Sequence, residues 1–347
     1  YDKTPTSITD GLVALGIDIQ FETLINQIDN RFLNPKETLI VFTPAISESN
    51  PILHYFKTNN FKVLKRSEIL GLITEHTKCL AVAGTHGKTT TSSMLSVVLE
   101  HAGCAPSFVI GSDVAHFGTG ARWVDSEHFV VEADESDGTF LTLPGAHAIV
   151  TSLDPDHLEF YGSADRLQAA FCAFVDDVPG ITAVCMDDPD THVLLDRSGV
   201  VTYGSAADAD LRISDILVTS DTTSFEVYWR GHGMGPVTVG LPGTHNALNA
   251  AAALTIALEL GVSFDDASAG LAQFTGVARR FEVRGEHLGV RFVDDYAHLP
   301  AEVESAIAAA TGGQWNRVVA AYQPHRYSRT EALGATFANS FRGVDHL

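Results

Sequence analysis

The chain has 347 residues, of which 45% are hydrophobic and 19% charged, and its formal net charge is −21 at pH 7. This composition indicates a folded protein of two or three domains, and the negative charge disfavours nucleic acid and anionic membrane as partners. We find no signal peptide and no apolar span long enough to cross a bilayer, so we expect a cytoplasmic protein. The cysteines are scattered without metal-binding spacing, which indicates reduced, mostly buried thiols: Cys79, Cys104, Cys172 and Cys185.

Residues 1–77 show α/β features that begin in mid-fold. Leu39–Phe42 is strand-like, Ile52–Phe56 has helical spacing, and Lys62–Leu64 is a short strand candidate. The glycine-rich strand–turn–helix unit that opens a dinucleotide-binding domain does not precede these elements. We therefore expect an incomplete domain over residues 1–77.

The stretch Cys79–Glu100 combines an apolar strand, a glycine-bounded loop and a helix-spaced apolar series. This order is typical of a phosphate-binding loop, in which backbone N–H groups and a helix N-terminus bind phosphate oxygens and a lysine adds charge. The loop and the first helical residues are Gly84, Thr85, His86, Gly87, Lys88, Thr89 and Thr90. Thr89 is placed to offer a hydroxyl to Mg²⁺. Val82 stands where the common motif has its first glycine, and a chance Gly-Lys-Thr turn is the alternative interpretation.

After Cys79, predicted strands and helices alternate, which is typical of a doubly wound parallel sheet. Strands are predicted at Phe129–Glu132, Ala148–Thr151, Thr182–Cys185 and Val200–Tyr203, and helices at Ala164–Val175, Asn246–Leu260 and Phe264–Phe274. Alternation within Leu211–Leu241 predicts a small antiparallel addition. A further domain is expected from about Gly276, with strands at Val290–Val293 and Arg317–Tyr322 around a helix from Pro300 to Ala310, and it stops at Leu347 before completing a sheet.

Two acidic turns follow predicted strands. The first contains Glu132, Asp134, Glu135 and Asp137, and the second contains Asp154, Asp156 and His157. Because carboxyl ends of parallel strands meet at one edge of a sheet, these turns can face the phosphate loop, where a carboxylate could hold Mg²⁺. A solvated acidic loop is the alternative for the first turn, and a loop-stabilising role is the alternative for His157.

Later motifs carry polar groups suited to ligand recognition. Asn246 and Asn249 share a helix face and could contact an adenine edge, although Asn246 could instead be an N-cap. The remaining candidates are Arg279 and Arg280 at the predicted domain junction, and Asp294, Asp295, His298, His325, Arg326 and Arg329 after two strands. Guanidinium groups suit bidentate phosphate or carboxylate contacts. A basic surface turn is the alternative explanation for His325, Arg326 and Arg329.

Together and in this order, these motifs resemble the Mur ligases. The segments KTPTSITDGLVALGIDIQFE and FTPAISESNP are similar to the later part of the UDP-binding domain of that family. The resemblance implies a three-domain α/β architecture. Residues 1–77 would be a partial Rossmann-like UDP-sugar domain, residues 78–276 a central doubly wound P-loop ATPase domain, and residues 277–347 a truncated Rossmann-like domain.

The resemblance also implies a reaction. ATP would phosphorylate the lactyl carboxylate of UDP-N-acetylmuramate, and the amine of L-alanine would attack the acyl phosphate, in peptidoglycan precursor synthesis. ATP and Mg²⁺ would be required, and the enzyme would be a monomer or homodimer. The alternatives are a ligase that adds a murein tripeptide in cell-wall recycling, a phosphate-loop ATPase acting as a motor or switch, and a nucleotide-binding fragment without ligase activity.

Roles follow from the resemblance position by position. Lys88 would hold the β- and γ-phosphates, Thr89 and Glu132 would ligate magnesium, and His157 would serve a second metal. Asn246 and Asn249 would contact the adenine side of ATP, and Arg280 with Asp295 would close over the nucleotide. The residues expected to face the amino acid or acyl phosphate are His325, Arg326 and Arg329. Leu299 stands where the family usually has a second histidine.

Overall fold

The computed structural model describes residues 1–43, 46–143, 145–313 and 315–347. These residues form two compact units, Tyr1–Ile73 and Thr74–Leu347. Pro44 and Ala45 of the segment FTPAISESNP lie outside the described residues.

The smaller unit, Tyr1–Ile73, is built on a short parallel strand pair. Its helices and strands are α1 (Ser7–Ala14), β1 (Leu39–Phe42), α2 (Pro51–Thr58), β2 (Lys62–Lys65) and α3, which spans Arg66–Thr74. β1 pairs with β2 in parallel, and the Asn50 side chain caps α2 by accepting from Ile52 N and Leu53 N. Phe56 packs edge-to-face on Phe61 with ring centroids 4.8 Å apart. The two strands and the helix predicted in this region are confirmed.

The larger unit contains a ten-stranded sheet. In chain order its strands are β3 (Lys78–Ala83), β4 (Ser107–Val114), β5 (Thr119–Arg122), β6 (His128–Glu132), β7 (His147–Val150), β8 (Thr182–Cys185), β9 (Val200–Gly204), β10 (Leu211–Val218), β11 (Thr223–Trp229) and β12 (His232–Val239). Across the sheet the order is β12-β11-β10-β9-β8-β7-β3-β6-β4-β5. Every neighbouring pair from β10 to β4 is parallel, whereas β11, β12 and β5 are antiparallel to their neighbours. The predicted antiparallel addition is thus confirmed as a continuation of the parallel sheet.

Helices of the larger unit cover this sheet. They are α4 (Lys88–His101), α5 (Leu158–Tyr161), α6 (Ala164–Asp176), α7 (Thr244–Glu259) and α8 (Phe264–Ala272). α4, α7 and α8 pack on one another, and α7 also contacts β7 to β12. The side chains of α7 that make this close packing possible are alanines at positions 250–253, all fully buried. The buried hydroxyls of Ser92, Ser93 and Ser96 in α4 donate to carbonyls one turn back, so they carry no unpaired polar group.

Residues 277–347 add a hairpin and short helices to the same unit. These elements are β13 (Glu282–His287), β14 (Val290–Asp294), α9 (Pro300–Thr311), α10 (Tyr327–Leu333) and α11 (Phe337–Ser340). The strand predicted over Arg317–Tyr322 is wrong. Within this segment, all of which the structure describes, Val319 makes one isolated bridge with His346, and a single bridge does not supply the ladder that a strand requires.

Two further expectations from the sequence concern the cysteine thiols and membrane-spanning segments. Cys79 and Cys185 are buried free thiols, whereas Cys104 and Cys172 are free and partly exposed. Among the described helices, none has the length and apolar character needed to cross a membrane.

Candidate functional site

The loop between β3 and α4 lies at the carboxyl ends of the central parallel strands. Gly84 and Gly87 both have positive φ, at 124° and 77°, and Gly87 is the N-cap of α4. A Cβ on Gly84 would overlap Thr151 Oγ1, so glycine is required for this close approach. Thr85 ties the loop to the end of β7, since its N–H donates to Ser152 O at 3.0 Å. The loop therefore holds the N–H groups at the start of α4 in place, as an anion-binding site requires.

Lys88 is buried beside a carboxylate at this loop. Its Nζ donates to Glu135 Oε2 at 2.7 Å and to the carbonyls of Gly84 and Thr85 at 2.6 and 3.3 Å. The side chains of Lys88 and Glu135 are 13% and 2% exposed. Burial lowers the pKa of Lys88, but the Glu135 carboxylate outweighs burial and raises it, so the ammonium stays charged. The loop therefore contains a restrained cation.

Thr89 and Glu132 meet on the other side of the loop. Thr89 Oγ1 donates to Glu132 Oε1 at 3.0 Å, and Glu132 Oε2 accepts from Gly111 N at 2.7 Å. Mg²⁺ prefers oxygen ligands, and a hydroxyl and a carboxylate converge here from two different elements. This donor pair fits Mg²⁺.

His157 lies near the same carboxylates. Its Nε2 is 3.4 Å from Asp156 Oδ2 and 3.9 Å from Glu135 Oε1. It occupies the N-cap position of α5 with a φ of 54°, but its side chain makes no capping hydrogen bond to that helix. In the part of the chain that the structure describes, one cluster of three acidic or histidine side chains has ligand atoms close enough together to hold a metal ion. It consists of Asp154, Asp188 and Asp190, and it does not include His157.

A cleft of about 430 Å³ opens beside the loop and contains both predicted asparagines. α7 begins after its N-cap Gly243, so the N-cap interpretation of Asn246 is wrong. Asn246 Nδ2 donates to Pro242 O at 2.8 Å, and Asn249 Oδ1 accepts from Thr91 Oγ1 at 3.1 Å.

Other residues that line this cleft are Thr90, Tyr203, His245 and Leu248. Burial lowers the pKa of His245 to about 4, so this ring is neutral. Amide, aromatic and aliphatic groups together suit a nucleobase.

A second cleft of about 240 Å³ joins Lys88, Glu132 and His157 to the last predicted motif. His325, Arg326 and Arg329 all line it. The Arg329 side chain is 9% exposed and its Nη2 lies 3.6 Å from Asp156 Oδ2. Lys88 and Arg329, which are 241 positions apart in the sequence, thus line one cavity. Leu299 lines this cleft as well, at the position noted above.

Arg280 lines both clefts, whereas Asp295 lines the larger one. The Arg280 guanidinium lies 5.5 Å from the centroid of the Tyr296 ring. The Asp295 carboxylate accepts from Phe281 N at 2.8 Å and from Ala297 N at 2.7 Å, which fixes the turn that carries Arg280. Burial raises the pKa of Asp295.

The sequence reasoning missed Glu302, which meets the His86 side chain. His86 lies between Asp154 and Glu302, with ring nitrogens 2.6 and 3.3 Å from their carboxylate oxygens. Burial lowers the pKa of His86, but the two carboxylates raise it to about 9. The pKa of Glu302 falls to about 2, because its hydrogen bond to His86 and the charges nearby outweigh burial. Glu302 accepts from Leu299 N, which is the glutamate half of a capping box, but leucine at the N-cap offers no side-chain acceptor and the sequence therefore lacks the full signal.

Comparison with known proteins adds sequence and structural relatives. Residues 82–257 match the Mur ligase middle domain, and residues 279–347 match the Mur ligase, glutamate ligase domain. UDP-N-acetylmuramate–L-alanine ligase of Geobacter sulfurreducens is 39% identical over 100% of this chain and 75% of its own length.

Two solved structures are similar to this chain. UDP-N-acetylmuramate-alanine ligase MurC of Thermotoga maritima has a TM-score of 0.82 and 25% identity, over 99% of this chain and 82% of its own. UDP-N-acetylmuramate:L-alanyl-gamma-D-glutamyl-meso-diaminopimelate ligase of Neisseria meningitides has a TM-score of 0.71 and 28% identity, over 80% of this chain and 90% of its own.

Proposed function

Because the chain belongs to the Mur ligase family, we propose that it joins L-alanine to the lactyl carboxylate of UDP-N-acetylmuramate, at the expense of ATP, in peptidoglycan precursor synthesis. The observation that carries this proposal is the 39% identity to an L-alanine ligase along the whole chain. The phosphate loop alone supports only nucleotide binding, since many nucleotide enzymes share it.

The loop would bind the ATP phosphates. The backbone N–H groups of Gly87–Thr89 lie at the start of α4 and would bind phosphate oxygens. Lys88 would move its ammonium from Glu135 to the β- and γ-phosphates. Thr89 and Glu132 would hold Mg²⁺, which when bound neutralises phosphate charge. Asn246 and Asn249 would bind the adenosine end in the larger cleft.

The transfer steps would take place in the smaller cleft. A lactyl carboxylate oxygen attacks the γ-phosphorus and ADP leaves, which gives an acyl phosphate. The L-alanine amine then attacks the carbonyl carbon, loses a proton, and the tetrahedral intermediate expels inorganic phosphate. His325, Arg326 and Arg329 would hold the anionic groups, His157 would lie beside the transferred phosphoryl group, and Arg280 with Asp295 would close over the nucleotide.

The parts of the chain would divide this work. We assign the UDP-sugar contacts to residues 1–77, the ATP site to residues 78–276, and the amino-acid side to residues 277–347. The parallel sheet that ends at the phosphate loop supports the second assignment, because ligands of such sheets gather at the carboxyl ends of the strands.

ADP release tests the proposal. With UDP-N-acetylmuramate present, L-alanine should stimulate release strongly and a murein tripeptide should not. The tripeptide is the relevant competitor, since the Neisseria meningitides ligase named above is 28% identical over 80% of this chain. Preference for the tripeptide would replace L-alanine as the acceptor, and no dependence on either acceptor would refute ligation.

Lysine variants locate the chemistry. Lys88→Ala should lower acceptor-dependent ADP release by about 100-fold or more, as loss of a transition-state charge contact does. Lys78→Ala is the matched control, because Lys78 lies at the opposite end of β3 in an ion pair with Glu127 whose side chain is largely exposed. Equal rates in the two variants would contradict the assignment of the loop.

A further inference from the structure

His86 belongs to the phosphate loop, but its side chain faces protein carboxylates. Nε2 lies 2.6 Å from Asp154 Oδ2, and Nδ1 lies 3.3 Å from Glu302 Oε1. The side chain is 19% exposed. Since a carboxylate flanks each ring nitrogen, both nitrogens must carry hydrogen for both contacts to be attractive, and the ring is an imidazolium. The proposed chemistry gives this cation no role at the phosphates.

Both ends of this link are held in place. His86 N–H donates to Ser152 Oγ at 2.9 Å, and the His86 carbonyl accepts from Thr151 Oγ1. Glu302 uses its other oxygen, Oε2, to accept from His298 N at 2.9 Å and Leu299 N at 3.2 Å, at the start of α9. The imidazolium therefore connects the end of β7 and the loop to the first turn of α9 through restrained groups, so a movement of one is transmitted to the other.

The link stands between the two clefts. Glu302 lines both of them, as do Arg280, Gly87 and Thr89. Arg280 Nη1 is 4.0 Å from Glu302 Oε1. A nucleotide with its base near Asn249 and its phosphates near Lys88 must pass this point. Because the Arg280 guanidinium lies beside the Glu302 carboxylate, the position of Glu302 determines how closely Arg280 approaches the loop.

We propose that His86 and Glu302 are positioning residues whose pairing holds Arg280 and the start of α9 over the phosphate loop, and thereby sets the affinity for the nucleotide. This inference rests on the proposed function only in taking ATP or ADP as the ligand. It is independent of which acid and which amine are joined.

A double-mutant cycle tests the pairing. The variants are His86→Ala, Glu302→Gln and the double variant, and the measurement is the dissociation constant of a fluorescent ADP analogue. Each single change should weaken binding about tenfold, and the double variant should bind no more weakly than the weaker single variant. Losses that multiply in the double variant, or single variants that bind like the unmodified chain, would overturn the proposal.

The design separates positioning from folding. Glu302→Gln keeps an oxygen for His298 N and Leu299 N, so it tests the link even where His86→Ala does not fold. Asp221→Asn is the matched control, because the Arg291–Asp221 ion pair, at 2.5 Å, joins the same two parts of the chain away from the loop. It should leave nucleotide affinity within about twofold of the unmodified chain. A tenfold loss in this control as well would show a general structural effect and overturn the proposal.

Failure of the proposed function gives a different result. An unmodified chain that binds the ADP analogue but releases no ADP with UDP-N-acetylmuramate and L-alanine refutes the ligase assignment. The cycle of dissociation constants is still measurable in that case, and it decides the role of the His86–Glu302 link by itself.

Discussion

Replacing Gly87 with alanine separates backbone strain from steric overlap in the nucleotide site. Gly87 and Gly103 flank the same helix, α4, with nearly equal φ values of 77° and 78°. An added Cβ meets nothing within 4 Å at Gly103, whereas at Gly87 it would lie 2.5 Å from Asn249 Oδ1. Gly103→Ala is therefore a control that carries the strain alone.

The two costs differ by the displacement of Asn249. An L-residue in the left-handed region costs about 1–2 kcal/mol, which both variants share. In Gly87→Ala the Asn249 amide must also move, although it accepts from Thr91 Oγ1 at 3.1 Å and donates to Asn246 Oδ1 at 3.3 Å. Each lost hydrogen bond costs about 0.5–1.5 kcal/mol. We expect Gly87→Ala to lose about 1–3 kcal/mol more than Gly103→Ala.

Urea unfolding and nucleotide titration measure the two consequences. Gly103→Ala should keep its affinity for the fluorescent ADP analogue, whereas Gly87→Ala should lose at least about tenfold because the asparagine pair lines the nucleotide cleft. Equal unfolding free energies together with equal affinities would refute the reasoning that Asn249 and the loop form one packed unit.

Three other changes have expected outcomes. Glu135→Gln should destabilise the fold by about 3 kcal/mol, because it leaves the buried Lys88 ammonium without its carboxylate, whereas Glu127→Gln, at an exposed pair, should change urea unfolding little. His86 has its folded pKa raised from 6.5 to about 9, so its stabilising contribution is complete below pH 6.5 and is lost as the pH rises through about 9. The stability difference between the unmodified chain and His86→Ala should therefore shrink over that interval, and a difference that grows with pH would contradict it. Ala251→Leu should cost about 1–3 kcal/mol because the site is fully buried between α7 and its neighbours, whereas the exposed Ala308→Leu in α9 should cost less than about 0.5 kcal/mol in the same thermal unfolding assay.

Local patterns predicted the central elements well. The strand, loop and helix at Cys79–Glu100 are confirmed as β3, the phosphate loop and α4, because the glycines, the apolar run and the helix-spaced residues are all close in sequence. The position of His157 near this loop was also foreseeable, since its turn follows the predicted strand that is confirmed as β7. Arg329 follows Arg317–Tyr322, where the predicted strand is wrong, so only the family resemblance indicated its place in the same cleft.

Other features depend on tertiary contacts that one sequence does not reveal. Glu302 reaches His86 across 216 positions, and its proximity depends on how α9 packs over the loop. The strands Ser107–Val114 and Thr119–Arg122 were not predicted, because glycine, serine and aspartate weaken the strand pattern there. Pairing of β4 with β6, and of β5 with β4, overrides that weak local preference. The opposite error occurred at Arg317–Tyr322, where an apolar run has one bridge to His346 in place of a ladder.

A crystal structure of the chain with Mg²⁺ and a non-hydrolysable ATP analogue tests the central claim most directly. We predict that the terminal phosphates lie within hydrogen-bond distance of the N–H groups at the start of α4. Lys88 Nζ should have left Glu135 for those phosphates, and Thr89 and Glu132 should ligate the metal. A nucleotide bound elsewhere, with the Lys88–Glu135 ion pair intact, would contradict the assignment of this loop as the ATP site.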